Sequence, residues 1–134
     1  MPSIPGYCTK KTLIQQVAQL VRVLHERGIC HRDLKASNIL VQENPGQTQE
    51  LYLTDLDSAR VQTRIKTKER IRDLARLNAS LFHTTGISTA DRLRFLRDYL
   101  KTCSARDEKL HRYWKAITVQ TLKKLKPNSK QGTQ

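Results

Sequence analysis

Residues 31–38 read His31-Arg32-Asp33-Leu34-Lys35-Ala36-Ser37-Asn38, and the flanking patterns leave this polar stretch few ways to fold. Upstream, from about Thr9 to Arg27, Leu13, Ile14, Val17, Leu20, Val21 and Leu24 recur at helical spacing. Gly28 follows as a C-terminal stop. Downstream, Ile39-Leu40-Val41 and Leu51-Tyr52-Leu53 are short β-prone runs, and Glu43-Asn44-Pro45-Gly46-Gln47 between them is rich in turn residues. That arrangement predicts a hairpin. Antiparallel pairing would bring Asn38, just before one strand, close to Asp55, just after the other. A helix thus delivers the chain into a polar loop, and a hairpin closes the far side of it.

The residue types in this frame are those of phosphoryl transfer from a magnesium nucleotide. Asp33 can orient an acceptor hydroxyl and take its proton. Lys35 can reach a transferring phosphate and offset its charge. Asn38 offers a neutral carbonyl oxygen and Asp55 a carboxylate, a donor pair suited to a hard Mg2+ ion that keeps waters and phosphate oxygens as other ligands. The stretch matches the catalytic-loop pattern His-Arg-Asp-Leu-x-x-x-Asn of protein kinases at every fixed position. His31 is expected to pack and hydrogen-bond within the loop. Arg32 is expected to meet a carboxylate or a phosphorylated residue.

Asp55-Leu56-Asp57 stands where protein kinases usually read Asp-Phe-Gly. Leu56 can take the apolar role of the Phe. Asp57 either joins the metal site or caps a turn.

The rest of the chain reads as helical. Ile71, Leu74, Leu77 and Leu81 mark one amphipathic helix, and Ser88 with Asp91 forms a capping-box pattern before Leu93, Leu96 and Leu100. Leu110, Trp114, Ile117, Thr121 and Leu125 mark another, with Trp114 as a core anchor. Residues 126–134 are polar and contain Pro127 and Gly132, the pattern of a frayed tail. The expectation is one α+β, mainly helical domain over residues 1–125.

At 134 residues such a chain can bury about two-thirds of its unfolded surface. Its hydrophobic fraction of 37% is compatible with a core, and no apolar run approaches membrane-spanning length. The first residues lack the basic and apolar regions of a signal peptide, so a cytoplasmic protein is expected. Cys8, Cys30 and Cys103 form no C-x-x-C pair and read as reduced, buried thiols. His25, His83 and His111 have no metal-ligand spacing and read as surface or satisfied core histidines.

The net charge of +13 has two readings. One is a solvated surface. The other is an anionic partner: a nucleotide, a phosphorylated glycolipid, nucleic acid or an anionic membrane surface, at which the protein would sit peripherally. Arg60, Arg64, Lys66, Lys68, Arg70, Arg72 and Arg76 are opposed only by Glu69 and Asp73. A specific nucleic-acid module is not recognisable, and aromatic residues amount to 5%.

The loop, Asp55-Leu56-Asp57 and Arg72-Asp73-Leu74-Ala75-Arg76-Leu77 together resemble the bacterial lipopolysaccharide kinase family, the Kdo/WaaP and InaA-like group, over about residues 10–102. The resemblance implies the carboxy-terminal lobe of a protein-kinase-like fold, ATP and Mg2+, and a hydroxyl acceptor on a sugar of the lipopolysaccharide core. By the same analogy Asp73 would accept hydrogen bonds from the catalytic-loop backbone. The interval 56–72 contains no Ala-Pro-Glu, and its shortness argues against the activation segment of a regulated protein kinase.

A glycine-rich phosphate loop, a V-A-I-K-like lysine strand and a partner Glu upstream of the first helix are not found in the sequence. In the family these belong to the amino-terminal lobe. A truncated reading frame, a split kinase completed by a separate amino-terminal-lobe chain, or a degenerate remnant would each explain this, and the first is expected. A hydrophobic surface normally covered by that lobe should then be exposed. The competing function is a non-catalytic scaffold that meets an anionic partner through its basic surface.

Overall fold

The first helix, α1 (Lys10–Glu26), opens where Thr9 can cap it: the Thr12 amide donates to Thr9 Oγ1 at 3.1 Å. It ends at Arg27 and Gly28, and Gly28 takes φ +80°. The bend turns the chain into β1 (Ile29–Cys30) and then the polar loop. A 3-10 turn at Ala36–Asn38 leads into β2 (Ile39–Gln42), which pairs antiparallel with β3 (Glu50–Leu53). A second 3-10 turn, Leu56–Ser58, precedes β4 (Arg60–Val61), and three helices follow: α2 (Thr67–Ser80), α3 (Thr89–Tyr99) and α4 (Arg106–Leu125). This computed structural model describes residues 9–42, 50–82 and 86–125. The expected turn at 43–47, His83, Cys8 and the tail from 126 lie outside the described residues.

The expected hairpin pairs Ile39 with Leu53 and Val41 with Leu51. A second ladder, β1 with β4 in antiparallel register, was not anticipated. Two-residue strands carry too little periodicity to be seen in a sequence. This ladder ties the entrance of the loop to the segment after Asp55.

The core lies between two helix pairs, α1 on α3 and α2 on α4, with α3 also against α4. Val21, Leu34, Leu74, Leu77, Leu96 and Leu100 are buried there, with Tyr99, Tyr113 and Ile117. Each such side chain contributes about 1.5–3 kcal/mol on burial, whereas an exposed ion pair adds at most about 1 kcal/mol. The apolar faces therefore hold the helices together. Leu93 faces solvent, and Trp114 is half-buried at the edge of the core. The capping box is formed, with Ser88 N donating to Asp91 at 2.9 Å and Asp91 N donating to Ser88 Oγ at 3.1 Å. Asp91 also meets Lys10 of α1 at 2.9 Å. The Ser88 amide first, and Lys10 after it, hold the Asp91 carboxyl down at about 2.

Leu40, Val41 and Tyr52 on the hairpin, Leu56 beyond it and Val61 on β4 are exposed. Among the described residues no helix is long and apolar enough to cross a membrane.

Gly28 tests the bend. A Cβ at this position would lie 1.9 Å from the Gln62 carbonyl oxygen, and Gln62 N donates to Gly28 O at 2.7 Å. The left-handed backbone alone costs a non-glycine residue about 1–2 kcal/mol. Gly28→Ala is expected to lose more than about 2 kcal/mol in chemical denaturation. A loss under about 0.5 kcal/mol would show that the ladder is not rigid.

Candidate active site

The loop is organised from beneath by Asp73, whose side chain is fully buried on α2. The amides of His31 and Arg32 donate to its two carboxylate oxygens, each at 2.9 Å. His25 Nε2, at the end of α1, lies 2.9 Å from the same carboxylate. On the other side of that imidazole, Nδ1 is hydrogen-bonded to the Tyr99 hydroxyl on α3, and Arg70 donates to that hydroxyl at 3.1 Å. One tautomer satisfies the whole series: Arg70 donates to Tyr99, Tyr99 to His25 Nδ1, and His25 Nε2–H to Asp73. Arg76 adds a longer ion pair to Asp73 at 3.9 Å.

Burial alone would raise the Asp73 carboxyl, but the bonds from His25 and from the Arg32 and His31 amides outweigh it and hold it below the ordinary carboxylate range. Beside it, burial and the Asp73 charge push the Cys30 thiol up to about 12, so Cys30 is an inert packing group. Cys103 is half-buried, not buried as expected. His25 is a satisfied core histidine, and His111 is exposed.

Held by this anchor, the loop binds itself. His31 is buried; its Nδ1 accepts from Asp33 N at 3.2 Å, and its Nε2–H donates to Thr54 O at 3.0 Å. Asn38 Nδ2 donates to Asp33 O at 2.9 Å, and Thr54 N donates to Asn38 O at 2.9 Å. Ala36 N donates to Ser80 Oγ at the end of α2 at 3.0 Å. His31 and Thr54 therefore splice the loop to the end of β3, immediately before Asp55.

The four expected site residues differ in setting. Asn38 is 6% exposed. The side chains of Asp33 and Lys35 are 43% and 46% exposed, with Lys35 Nζ 3.8 Å from Asp33. Asp55 is exposed and opens the second 3-10 turn in the left-handed region, at φ 60°, without a side-chain cap bond. Arg32 also has positive φ, 71°. Such a conformation costs about 1–2 kcal/mol per non-glycine residue. At Arg32 the amide bond to the buried Asp73 carboxylate, worth about 1.5–3 kcal/mol, offsets it. The Arg32 side chain is exposed and has no salt bridge among the described residues. Asp57 is exposed within the second 3-10 turn.

The oxygen donors of Asn38 and Asp55, at the two ends of one hairpin, suit a hard cation chemically. Among the described residues no group of three or more His, Cys, Asp and Glu side chains is arranged to hold a metal ion. The Tyr99 and Arg70 contributions had no local signal in the sequence, because they reach the loop through His25 from separate helices.

Protonating Asp73 favours the unfolded chain, because folding lowers its proton affinity. Its stabilisation is complete above the ordinary carboxylate range near about pH 4 and falls away as pH drops through the lower folded value. Asp73→Asn is expected to cost about 3 kcal/mol at neutral pH and to flatten the acid side of the stability profile. Parallel acid profiles for the variant and the natural chain would contradict this assignment.

The lipopolysaccharide kinase (Kdo/WaaP) family model matches residues 4–99. The chain is 36% identical to the lipopolysaccharide core heptose(I) kinase WaaP of Pseudomonas aeruginosa over 95 residues, covering 69% of this chain and 35% of that protein. It is 44% identical to the 3-deoxy-D-manno-octulosonic acid kinase of Mannheimia succiniciproducens over 43 residues, 32% of this chain and 18% of that protein. A solved structure of WaaP in complex with acyl carrier protein superposes with a TM-score of 0.72 at 27% identity, covering 85% of this chain and 47% of that one. The chain thus spans about a third of the length of the first of these kinases and less of the second. The family model over residues 4–99, with the shared fold over 85% of the chain, places this chain in the lipopolysaccharide kinase (Kdo/WaaP) family.

Proposed function

We propose that this chain is the catalytic lobe of an ATP-dependent kinase that phosphorylates a hydroxyl of a lipopolysaccharide core sugar. The observation that carries the reading is the splice of Asp33, Asn38 and the Thr54–Asp55 corner into one hydrogen-bonded unit. In the reaction the acceptor hydroxyl oxygen bonds to the γ-phosphorus of ATP, the bond to ADP breaks, and the hydroxyl proton passes to Asp33. Lys35 forms only an exposed pair with Asp33, worth at most about 1 kcal/mol, and is readily exchanged for a phosphate oxygen. With its Nδ2 committed to Asp33 O, Asn38 has Oδ1 to offer to Mg2+ beside the Asp55 carboxylate. Bound there, the ion would neutralise phosphate charge. Asp57 supplies a second carboxylate next to the pair.

The cover for the nucleotide comes from another element in this reading. The setting is the cytoplasm, with peripheral contact at the inner face of the inner membrane. The scaffold alternative draws on the exposure of Arg60, Arg64, Lys66, Lys68 and Arg72, which leaves these cations available to an anionic partner.

Calorimetry with Mg·ATP tests the kinase reading. The natural chain is expected to bind, Asp55→Asn to bind at least about tenfold more weakly, and Asp33→Asn to bind while losing about 10²–10⁴-fold in phosphate transfer to core oligosaccharide. Equal binding by Asp55→Asn, or undiminished transfer by Asp33→Asn, would overturn it; absence of binding by the folded natural chain would mean that the covering element is required.

A further inference from the structure

Away from the loop, a cleft of about 1140 Å³ opens between the end of α1, the entry to α2, the α3–α4 connection and one side of α4 from Lys109 to Gln120. Its charged lining is almost entirely cationic. The approach to α2 contributes Arg64 and Lys66, and its second turn contributes Arg70. From α4 come Lys109, Arg112 and Lys115, at a spacing of three that sets them along one side of the helix. Glu26 is the single carboxylate among the lining residues, and it lies 3.5 Å from Arg22, another lining residue. Among the described residues none of Arg64, Lys109, Arg112 and Lys115 lies within salt-bridge distance of a carboxylate.

Like charges gathered round one concavity repel one another, and its low-dielectric walls focus their field. The floor is apolar and aromatic, formed by buried Ile65, Tyr99 and Tyr113. Solvation of separate surface cations does not require them to converge from three elements on one cleft.

We propose that this cleft is a binding site for a phosphate-bearing ligand, in which the Arg64–Lys66 wall and the Lys109–Arg112–Lys115 wall grip a phosphate dianion from opposite sides. Arg guanidinium groups match phosphate oxygens bidentately, while Lys supplies point charge. The cleft involves none of Asp33, Lys35, Asn38 or Asp55, so its occupancy does not depend on the kinase chemistry.

The probe is inorganic pyrophosphate, titrated into the full chain without magnesium or nucleotide and followed by calorimetry. Saturable one-site binding is expected, weakened at least tenfold by Arg112→Glu, less by Arg112→Gln, and unchanged by Asp55→Asn. Lys11→Glu, a charge reversal on α1 outside the cleft, is expected to leave it within twofold. Equal weakening by Lys11→Glu and Arg112→Glu would overturn the proposal in favour of diffuse charge attraction. So would adsorption to phosphatidylglycerol vesicles with no pyrophosphate binding, which would indicate a flat membrane-facing surface. Loss of pyrophosphate binding in Asp55→Asn alone would place the anion at the catalytic loop and also overturn it. The Mg·ATP titration is read separately, so failure of one site is distinguishable from failure of the other.

Discussion

Two successive backbone amides, those of His31 and Arg32, donate to one buried carboxylate, and the loop at residues 31–38 takes its shape from that constraint. A fully buried carboxylate without partners would be too costly to keep ionised. Asp73 is supplied by α2 and satisfied by the loop above it and by His25 behind it. The interaction runs in both directions: Asp73 orders the loop, and the loop amides make the buried charge tolerable. His25, Tyr99 and Arg70 extend the same network through α1, α3 and α2, so the loop is referenced to the helical core.

Rigidity at this point permits unusual backbone within the candidate site. Among the described residues the non-glycine residues with positive φ are Arg32, Asp55 and Ala105, and the first two lie in the candidate site. Arg32 is pinned directly by Asp73. Asp55 is held indirectly, since Thr54 before it accepts from His31 and donates to Asn38 O. The exposed Asp33, Lys35 and Asp55 side chains therefore stand on a fixed base, while the buried Asn38 forms part of that base. Exposure of the reactive groups and burial of their supports are complementary parts of one arrangement.

Much of this was legible in the sequence because it is local. Helical spacing before Gly28, two β-prone runs around a turn-rich segment and the capping box at Ser88 are each written within a few residues. The role of Asp73 was legible only through family resemblance, since its partners lie in a distant part of the chain. His25, Tyr99 and Arg70 were not legible as a set, because hydrogen bonds between separate helices leave no periodicity. The β1–β4 ladder was too short to show. The basic run from Arg60 to Arg76 proved heterogeneous: Arg70 and Arg76 turn inward to Tyr99 and Asp73, while most of the others remain exposed. Charge in a sequence does not say which cations the fold consumes internally.

The central claim is that Asp73 holds the loop through the His31 and Arg32 amides. Residue-resolved amide hydrogen exchange tests it most directly, by comparing these two amides with the core amide of Ile117 in the natural chain and in Asp73→Asn. Asn has one carbonyl oxygen, so it can replace only part of the carboxylate's acceptance. With such a bond worth about 1.5–3 kcal/mol, at least one loop amide should exchange tenfold or more faster relative to Ile117. If both amides keep their protection relative to Ile117 in the folded variant, Asp73 is not what holds the loop.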